Sequence, residues 1–292
     1  MRTRFAPAPT GWLHLGHVAN ALYVWGLGAR RGAEVLLRIE DHDRQRSRRE
    51  YESALLDDLD WLGFVPDLFL TGVFRSGPCD SRQRDRTAIY ADRAHALIDR
   101  GLVYGCTCSR QQVLAASVGV ARVYAGTCRN RGIAPTDGVV WRLRMEAGRE
   151  SFDDILTGPH TQEPSIDAGD VVIRDRRGNW TYQFCVVVDD FLQNIDLVVR
   201  GEDLLSSTGL QIALARLLGR TTPPRFAHHP LIMKNPSQKL SKADGDTGIR
   251  DLRAGGWRAE DVIGAAAYQV GLTEHARRVV ARDAAQLFAA AI

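Results

Sequence analysis

Residues 2–6 read as a short strand, a Pro/Gly turn follows through Pro7, Pro9 and Gly11, and His14-Leu-Gly-His17 stands just before a helical run of apolar residues. This order constrains the chain more than any other feature, because a strand turning tightly into a helix N-terminus opens a parallel α/β unit. The first turn of such a helix presents unpaired N–H groups and the positive end of the dipole. An anion belongs there. Gly16 lets a ligand approach the backbone closely, while His14 and His17, three residues apart, share a face and can donate hydrogen bonds to developing phosphate charge. Alone the motif is weak, since two ordinary capping or surface histidines would look the same.

From Val18 the apolar positions Val18, Ala21, Leu22 and Trp25 keep helical spacing to about Arg31. Residues 34–39 form a buried-strand candidate ending in Glu40-Asp41-His42-Asp43. Ser47 and Glu50 make a capping-box pattern for a helix with Tyr51, Leu55, Leu59 and Leu62 inward and Gly63 at its end. A further helix is expected over about 86–100, stopping at Gly101. Strands are expected at 139–144, 170–174 and 180–188, the last two joined by a turn at Arg177-Gly-Asn, and at 196–200, followed by a helix over 207–218 capped by Gly219. The pattern is that of a parallel, Rossmann-like sheet, with 1–75 and 181–245 as its core, 76–180 as an insertion and 246–292 as a helical C-terminal region.

Length and composition fit one large α/β domain, or a core with a smaller insertion: 292 residues, 45% hydrophobic and 25% charged. No apolar run is long enough to span a bilayer, and the N-terminus lacks a signal peptide's apolar segment. A cytoplasmic protein with no membrane partner is expected. A net charge of +3 permits nucleic-acid contact without requiring it. Basic residues are distributed unevenly: Lys plus Arg totals 38, yet the three lysines, Lys234, Lys239 and Lys242, fall in one short stretch. Clustered ammonium groups suit phosphate. Lys239-Leu-Ser-Lys242 is unspecific alone, since a Lys/Ser loop is usually just solvated. The Walker A pattern is absent, which argues against a P-loop NTPase.

Several motifs occur in order: Arg4-Phe-Ala-Pro-Ala-Pro-Thr-Gly-Trp-Leu-His-Leu-Gly-His17, Leu37-Arg-Ile-Glu-Asp-His-Asp43, Gly169-Asp-Val-Val-Ile-Arg174, Val186-Val-Val-Asp-Asp190 and Val198-Val-Arg-Gly-Glu-Asp-Leu-Leu205. Together with the HxGH and KxSK pair they resemble the glutamyl-tRNA synthetase group of class I aminoacyl-tRNA synthetases, over nearly the whole chain. The resemblance implies an α/β, Rossmann-like class I catalytic core that forms glutamyl-adenylate from L-glutamate and ATP with Mg2+. It places ATP at His14, Gly16, His17, Lys239, Leu240, Ser241 and Lys242. His14, His17, Lys239 and Lys242 are the implied catalytic groups, with the loop lysines stabilising phosphate charge in the transition state. Glutamate falls to Arg4, Ala8, Glu40, Tyr182 and Arg200. The charges suit it: Glu40 can pair with the ammonium, Arg4 and Arg200 can fork onto carboxylate, and Tyr182 adds a hydroxyl. Ala8 departs from the family, which usually has serine there; the missing hydrogen bond is on the order of 1 kcal/mol.

Five cysteines suggest a metal site rather than a disulfide framework. Cys106, Cys108 and Cys128 supply three thiolates, one short of a closed tetrahedral site, and spacing alone does not select Tyr124 as the fourth. Small buried cysteines are the alternative, and Cys79 and Cys185 are read that way. The short paralogues of glutamyl-tRNA synthetase carry a Cys-x-Cys … Tyr-x-x-x-Cys zinc site, so the resemblance implies one structural Zn2+ on Cys106, Cys108, Tyr124 and Cys128.

About fifty residues follow Lys242, and the anticodon-binding domain of a full glutamyl-tRNA synthetase is not expected. Truncation and the Cys/Tyr cluster both match the short glutamyl-queuosine tRNA(Asp) synthetase family, expected as a monomer. That resemblance implies glutamate activation without tRNA, then transfer to queuosine in the anticodon loop of tRNA(Asp). The alternatives are a truncated enzyme charging the acceptor end of tRNA(Glu), a silent zinc-bearing RNA-binding module, and a small-molecule ligase. Arg277, Arg278, Arg282 and the arginines around Arg129 are candidate phosphate contacts, with a solvated face as the default.

Overall fold

The computed structural model describes residues 1–117, 123–235, 238–239 and 248–288. In chain order the strands are β1 (Arg2–Phe5), β2 (Glu34–Leu37), β3 (Val103–Cys106), β4 (Val140–Leu143), β5 (Glu150–Asp154), β6 (Gly158–Gln162), β7 (Val171–Arg174), β8 (Leu197–Gly201), β9 (Arg225–His229), β10 (Met233–Asn235) and β11 (Gln238–Lys239). The helices are α1 (Leu15–Arg30), α2 (Arg49–Leu62), α3 (Thr71–Ser76), α4 (Thr87–Asp99), α5 (Arg110–Ala116), α6 (Pro164–Asp167), α7 (Tyr182–Leu192), α8 (Thr208–Leu217), α9 (Ile249–Ala254) and α10 (Ala259–Gln269). Three-residue-per-turn helices run over Gln83–Arg86, Glu202–Ser207 and Ala281–Phe288.

The main sheet has the order β2-β1-β8-β9-β5-β6. Its first five strands are parallel, and β6 closes the edge as an antiparallel hairpin partner of β5. Apolar runs such as Val35-Leu-Leu37 and Leu197-Val-Val199 are buried on both faces, as a sheet covered by helices requires. α1 is buried on most sides, because the sheet lies below it and α10 and the Ala281–Phe288 turns lie above. The approach is close: a Cβ on Gly26 would run into the Phe288 ring. From β1 the chain crosses through α1 to β2 on one side, and from β8 through α8 to β9 on the other. The strand order therefore reverses between β1 and β8, and a crevice opens at their carboxyl ends.

A second, antiparallel sheet has the order β3-β4-β7 and shares an apolar core with α4, α7 and α8. β10 and β11 form a separate hairpin. Among the described residues no helix is long and apolar enough to cross a membrane.

Three sequence expectations need correction. Residues 180–188 are not a strand: Trp180 makes one bridge to Arg174, and the chain then enters α7. Phe184 to Val188 are buried on every side, so no alternation existed to separate strand from helix, and burial overrode the β preference of valine. Ser47 does not cap α2. Its N–H is bonded to the Asp43 carbonyl (2.9 Å) in the preceding turn, so the helix starts one residue later behind Arg48 without a side-chain cap. Gly63 does terminate α2, at φ +80°. The segment 76–180 does not lie wholly outside the main sheet, because β5 and β6 belong to it through pairing of β5 with β9.

Candidate active site

The crevice between β1 and β8 is a cavity of about 670 Å3. Its walls come from four chain segments that the parallel sheet brings together: Arg4–Ala8 at and beyond the end of β1, Glu40 after β2, Val199–Gly201 at the end of β8, and His229, Leu231 and Ile232 at and beyond the end of β9. The start of α1 adds His14, Gly16, His17 and Asn20, and the start of α7 adds Tyr182. All five residues expected to bind an amino acid, Arg4, Ala8, Glu40, Tyr182 and Arg200, line this one cavity, as do the two histidines of the HxGH motif.

The histidines cap their own helix. His14 is the N-cap, and its Nδ1 accepts the Gly16 N–H at 3.1 Å. His17 returns the contact: its Nδ1 accepts the His14 N–H at 3.1 Å, with the ring centroids 4.0 Å apart. A neutral imidazole that accepts at Nδ1 carries its proton on Nε2. Capping therefore sets both rings in the tautomer that donates at Nε2.

At and behind the wall formed by Arg4 and Glu40 lies a chain of four charges. Arg38 is fully buried, donating from Nη2 to Glu40 (2.9 Å) and from Nη1 to Asp190 (2.7 Å) and Gln193 (3.0 Å). Arg4 Nε reaches the same Asp190 carboxylate at 3.2 Å, and its Nη1 donates to the Val199 carbonyl at 3.1 Å. Burial opposes the Arg38 charge, but Asp190 and Glu40 outweigh it and hold the guanidinium above its usual range. Burial likewise pushes the Asp190 carboxyl up, and Arg4 and Arg38 bring it below the usual carboxylate range. Arg4, expected to fork onto a ligand carboxylate, is thus already paired with Asp190. Arg200 differs: burial and the neighbouring Arg4 lower its pKa. The Tyr182 hydroxyl, pushed up to about 12 mainly by burial, stays protonated at neutral pH.

Of the loop motif, Lys239 lies in β11 with its backbone opposite Met233. Leu240, Ser241 and Lys242 lie outside the described residues. β10 does follow directly from the cavity-lining Leu231 and Ile232. Sequence reasoning missed Arg38, Asp190, Asn20, Asp203 and His229. The first two left a signal, being charges inside the apolar runs Leu37-Arg-Ile and Val186-Val-Val-Asp-Asp190. His229 left none: it stacks on Tyr23 (4.7 Å), meets Asn20 at 3.0 Å, and burial lowers its pKa to about 4.

The cysteine cluster lies apart, in the core formed with Tyr104. The Sγ atoms of Cys106, Cys108 and Cys128 all lie within 4.8 Å of one another, with Cys108 and Cys128 3.5 Å apart. Thiolates 2.3 Å from one tetrahedral ion stand roughly 3.8 Å apart, so the three can hold a metal ion. The Tyr124 hydroxyl joins them, 3.5 Å from Cys106 Sγ and accepting the Cys128 N–H at 2.7 Å. Burial raises Tyr124 above its usual range, whereas at Cys128 the hydrogen bonds of Thr107, Cys108 and Tyr124 outweigh burial and lower the thiol to about 7. Arg142 lies 3.6 Å from the centroid of the Tyr124 ring, which favours a phenolate once a cation is present.

Residues 1–284 match the family profile described as tRNA synthetases class I (E and Q), catalytic domain. A glutamyl-Q tRNA(Asp) synthetase of Rhodobacter capsulatus is 38% identical over 284 residues, covering 90% of this chain and 98% of the relative. Glutamate–tRNA ligase 2 of Syntrophus aciditrophicus is 37% identical over 278 residues, covering 90% of this chain but 56% of the ligase. The chain thus spans about half the length of that longer relative. The crystal structure of a glutamate tRNA ligase from Elizabethkingia meningosepticum, in complex with its amino acid, superposes with a TM-score of 0.78 at 28% identity, over 98% of this chain and 64% of that one.

Proposed function

The chain belongs to the class I tRNA synthetase catalytic family of the glutamate and glutamine type, and from that premise we propose that it activates L-glutamate with ATP and passes the glutamyl group to queuosine in the anticodon loop of tRNA(Asp). The observation that carries the first half is one cavity that combines a helix N-terminus bearing two Nε2–H imidazoles with an amino-acid-shaped set of charges. The second half is supported by the relative of nearly equal span that bears this name.

In the first step a glutamate carboxylate oxygen attacks the α-phosphorus of ATP, forming the mixed anhydride and releasing pyrophosphate. Glu40 pairs with the substrate ammonium, and its own position is held by Arg38. Arg200 and Tyr182 take a carboxylate. His14 and His17 donate from Nε2 to the phosphate charge as it spreads, beside the positive end of α1. Lys239 and Lys242 are assigned to the same charge from sequence, with Mg2+ accompanying ATP. A queuosine hydroxyl then displaces AMP.

Glutamate-dependent exchange between ATP and pyrophosphate in the absence of tRNA tests the first half. Transfer of labelled glutamate to queuosine-containing tRNA(Asp), set against tRNA(Glu), tests the second. Exchange that needs tRNA would sink the reading, and charging of tRNA(Glu) would favour the second reading, which the glutamate–tRNA ligases among the relatives support.

The thiol cluster is assigned one structural Zn2+ held by Cys106, Cys108, Cys128 and Tyr124; the ion would cross-link the loops and leave no open coordination position. Cys108→Ser is expected to lower bound zinc from about one per chain to near zero and to drop the melting temperature, while residual exchange activity at low temperature persists. Zinc-free, fully folded wild type would remove the assignment.

A further inference from the structure

Arg200 stands out among the arginines of the cavity wall. Arg4 is bonded to the Asp190 carboxylate and Arg46 to that of Asp43. The hydrogen bonds of Arg200 go instead to neutral groups: Nε donates to His228 Nε2 (2.9 Å), Nη1 to Gln211 Oε1 (2.6 Å), and Nη2 to Thr208 Oγ1 (2.8 Å) and the Leu204 carbonyl (3.3 Å). A carboxylate does stand nearby, but one ring removed. Asp154, at the end of β5, meets His228 Nδ1 at 2.6 Å, and both side chains are completely buried.

The direction of each hydrogen bond in this line is fixed. Burial pushes the Asp154 carboxyl up, but the His228 ring and the N–H groups of Leu156, His228 and Thr157 hold it well below the usual range. An ionised carboxylate can only accept, so His228 Nδ1 carries the proton. Burial keeps the imidazole neutral, and Arg200 adds to that. Its Nε2 therefore offers a lone pair to an arginine that can only donate.

We propose that Asp154 and His228 are positioning residues that present Arg200 as an oriented but unneutralised cation, and thereby make the site select an amino acid with a side-chain carboxylate. This rests on Arg200 being a glutamate contact. A carboxylate placed directly on Arg200 would fill the guanidinium fork and repel the substrate's own. Interposing a neutral imidazole fixes the angle of the fork while leaving its charge to be matched by the ligand. A guanidinium pinned on several sides suits the carboxylate that does not react, because the other must travel onto phosphate. An amide in that place leaves a buried cation without a counter-charge, the kind of mismatch that discriminates strongly.

The test compares wild type with Asp154→Asn, His228→Leu and His228→Gln in ATP–pyrophosphate exchange, varying glutamate, glutamine and ATP. Asparagine at 154 lets the imidazole proton move to Nε2, donor against donor at Arg200. Asp154→Asn and His228→Leu are expected to raise KM for glutamate ten-fold or more, with KM for ATP within two-fold. The ratio of kcat/KM for glutamate over glutamine should fall at least ten-fold. His228→Gln, whose carbonyl reaches the Nε2 position, should recover part of both. The ratio is measured on one preparation, so partial unfolding does not move it. An unchanged ratio, or KM values for glutamate and ATP rising together, overturns the positioning role while leaving the functional reading intact. Wild type without glutamate-dependent exchange sinks both.

Discussion

Replacing His17 with glutamate is expected to abolish most adenylate formation while leaving the fold as stable as before. The substitution separates the capping role seen for this side chain from the phosphate role proposed for it. His17 occupies the third position of α1, and its Nδ1 accepts the His14 N–H. Glutamate at that position of a helix is a standard acceptor for the N-cap N–H, and its negative charge suits the positive end of the dipole. Stability in urea should therefore stay within about 0.5 kcal/mol of wild type. What glutamate cannot do is donate to phosphate, and it repels it. Loss of one preorganised donor to transition-state charge lowers kcat by about 100- to 1,000-fold. His17→Ala should show the same kinetic loss plus a cap defect of about 1 kcal/mol. A glutamate variant that still exchanges ATP with pyrophosphate at the wild-type rate would reduce His17 to a capping residue.

That double use explains why HxGH was readable and yet ambiguous. Capping and anion binding ask for the same place in the fold, so the capping contacts of His14 and His17 leave the phosphate role proposed for them compatible with the same geometry. The parallel sheet was legible for a related reason: Leu197 to Val199 and Val35 to Leu37 are apolar without alternation and are bounded by turn residues. The same rule failed at 180–188, where an apolar run of similar length is helix α7. β5 was missed because its place in the sheet depends on pairing with β9, a register contact between Asp154 and Phe226 that no local pattern announces. Within the site, Arg4, Glu40, Tyr182 and Arg200 were named through resemblance, whereas their supports were not. Asp190 and His228 hold Arg4 and Arg200 from 186 and 28 residues away along the chain, and Asp154 holds His228 from 74, distances that only the folded sheet closes; Arg38 stands two residues from Glu40.

The largest effect on stability is expected at Arg38, whose guanidinium is fully buried and joins Glu40, Asp190 and Gln193. Arg38→Leu keeps apolar volume but leaves two carboxylates facing the interior, with Arg4 alone, at 3.2 Å from Asp190, to balance them. Breaking a buried ion pair by removing one partner costs about 3–5 kcal/mol, far more than the pair itself contributes, because the remaining charge is uncompensated. Urea denaturation at neutral pH should show that loss in the midpoint with an unchanged slope. Arg38→Lys retains the charge but not the fork, and should fall between the two. The pH dependence gives an independent check. In the wild type the Asp190 carboxyl is held below its ordinary value, with Arg4 and Arg38 overcoming burial. Its contribution is therefore present above the carboxyl's unfolded pKa and is lost as pH falls through the lower folded value. Without Arg38 that depression weakens, so the variant's deficit should be full at neutral pH and shrink in the acid range as Asp190 takes up a proton. A deficit independent of pH would mean that leucine costs stability through packing alone. Glutamate binding should fail in the leucine variant at every pH where it remains folded, because Glu40, proposed to pair with the substrate ammonium, loses the partner that holds it.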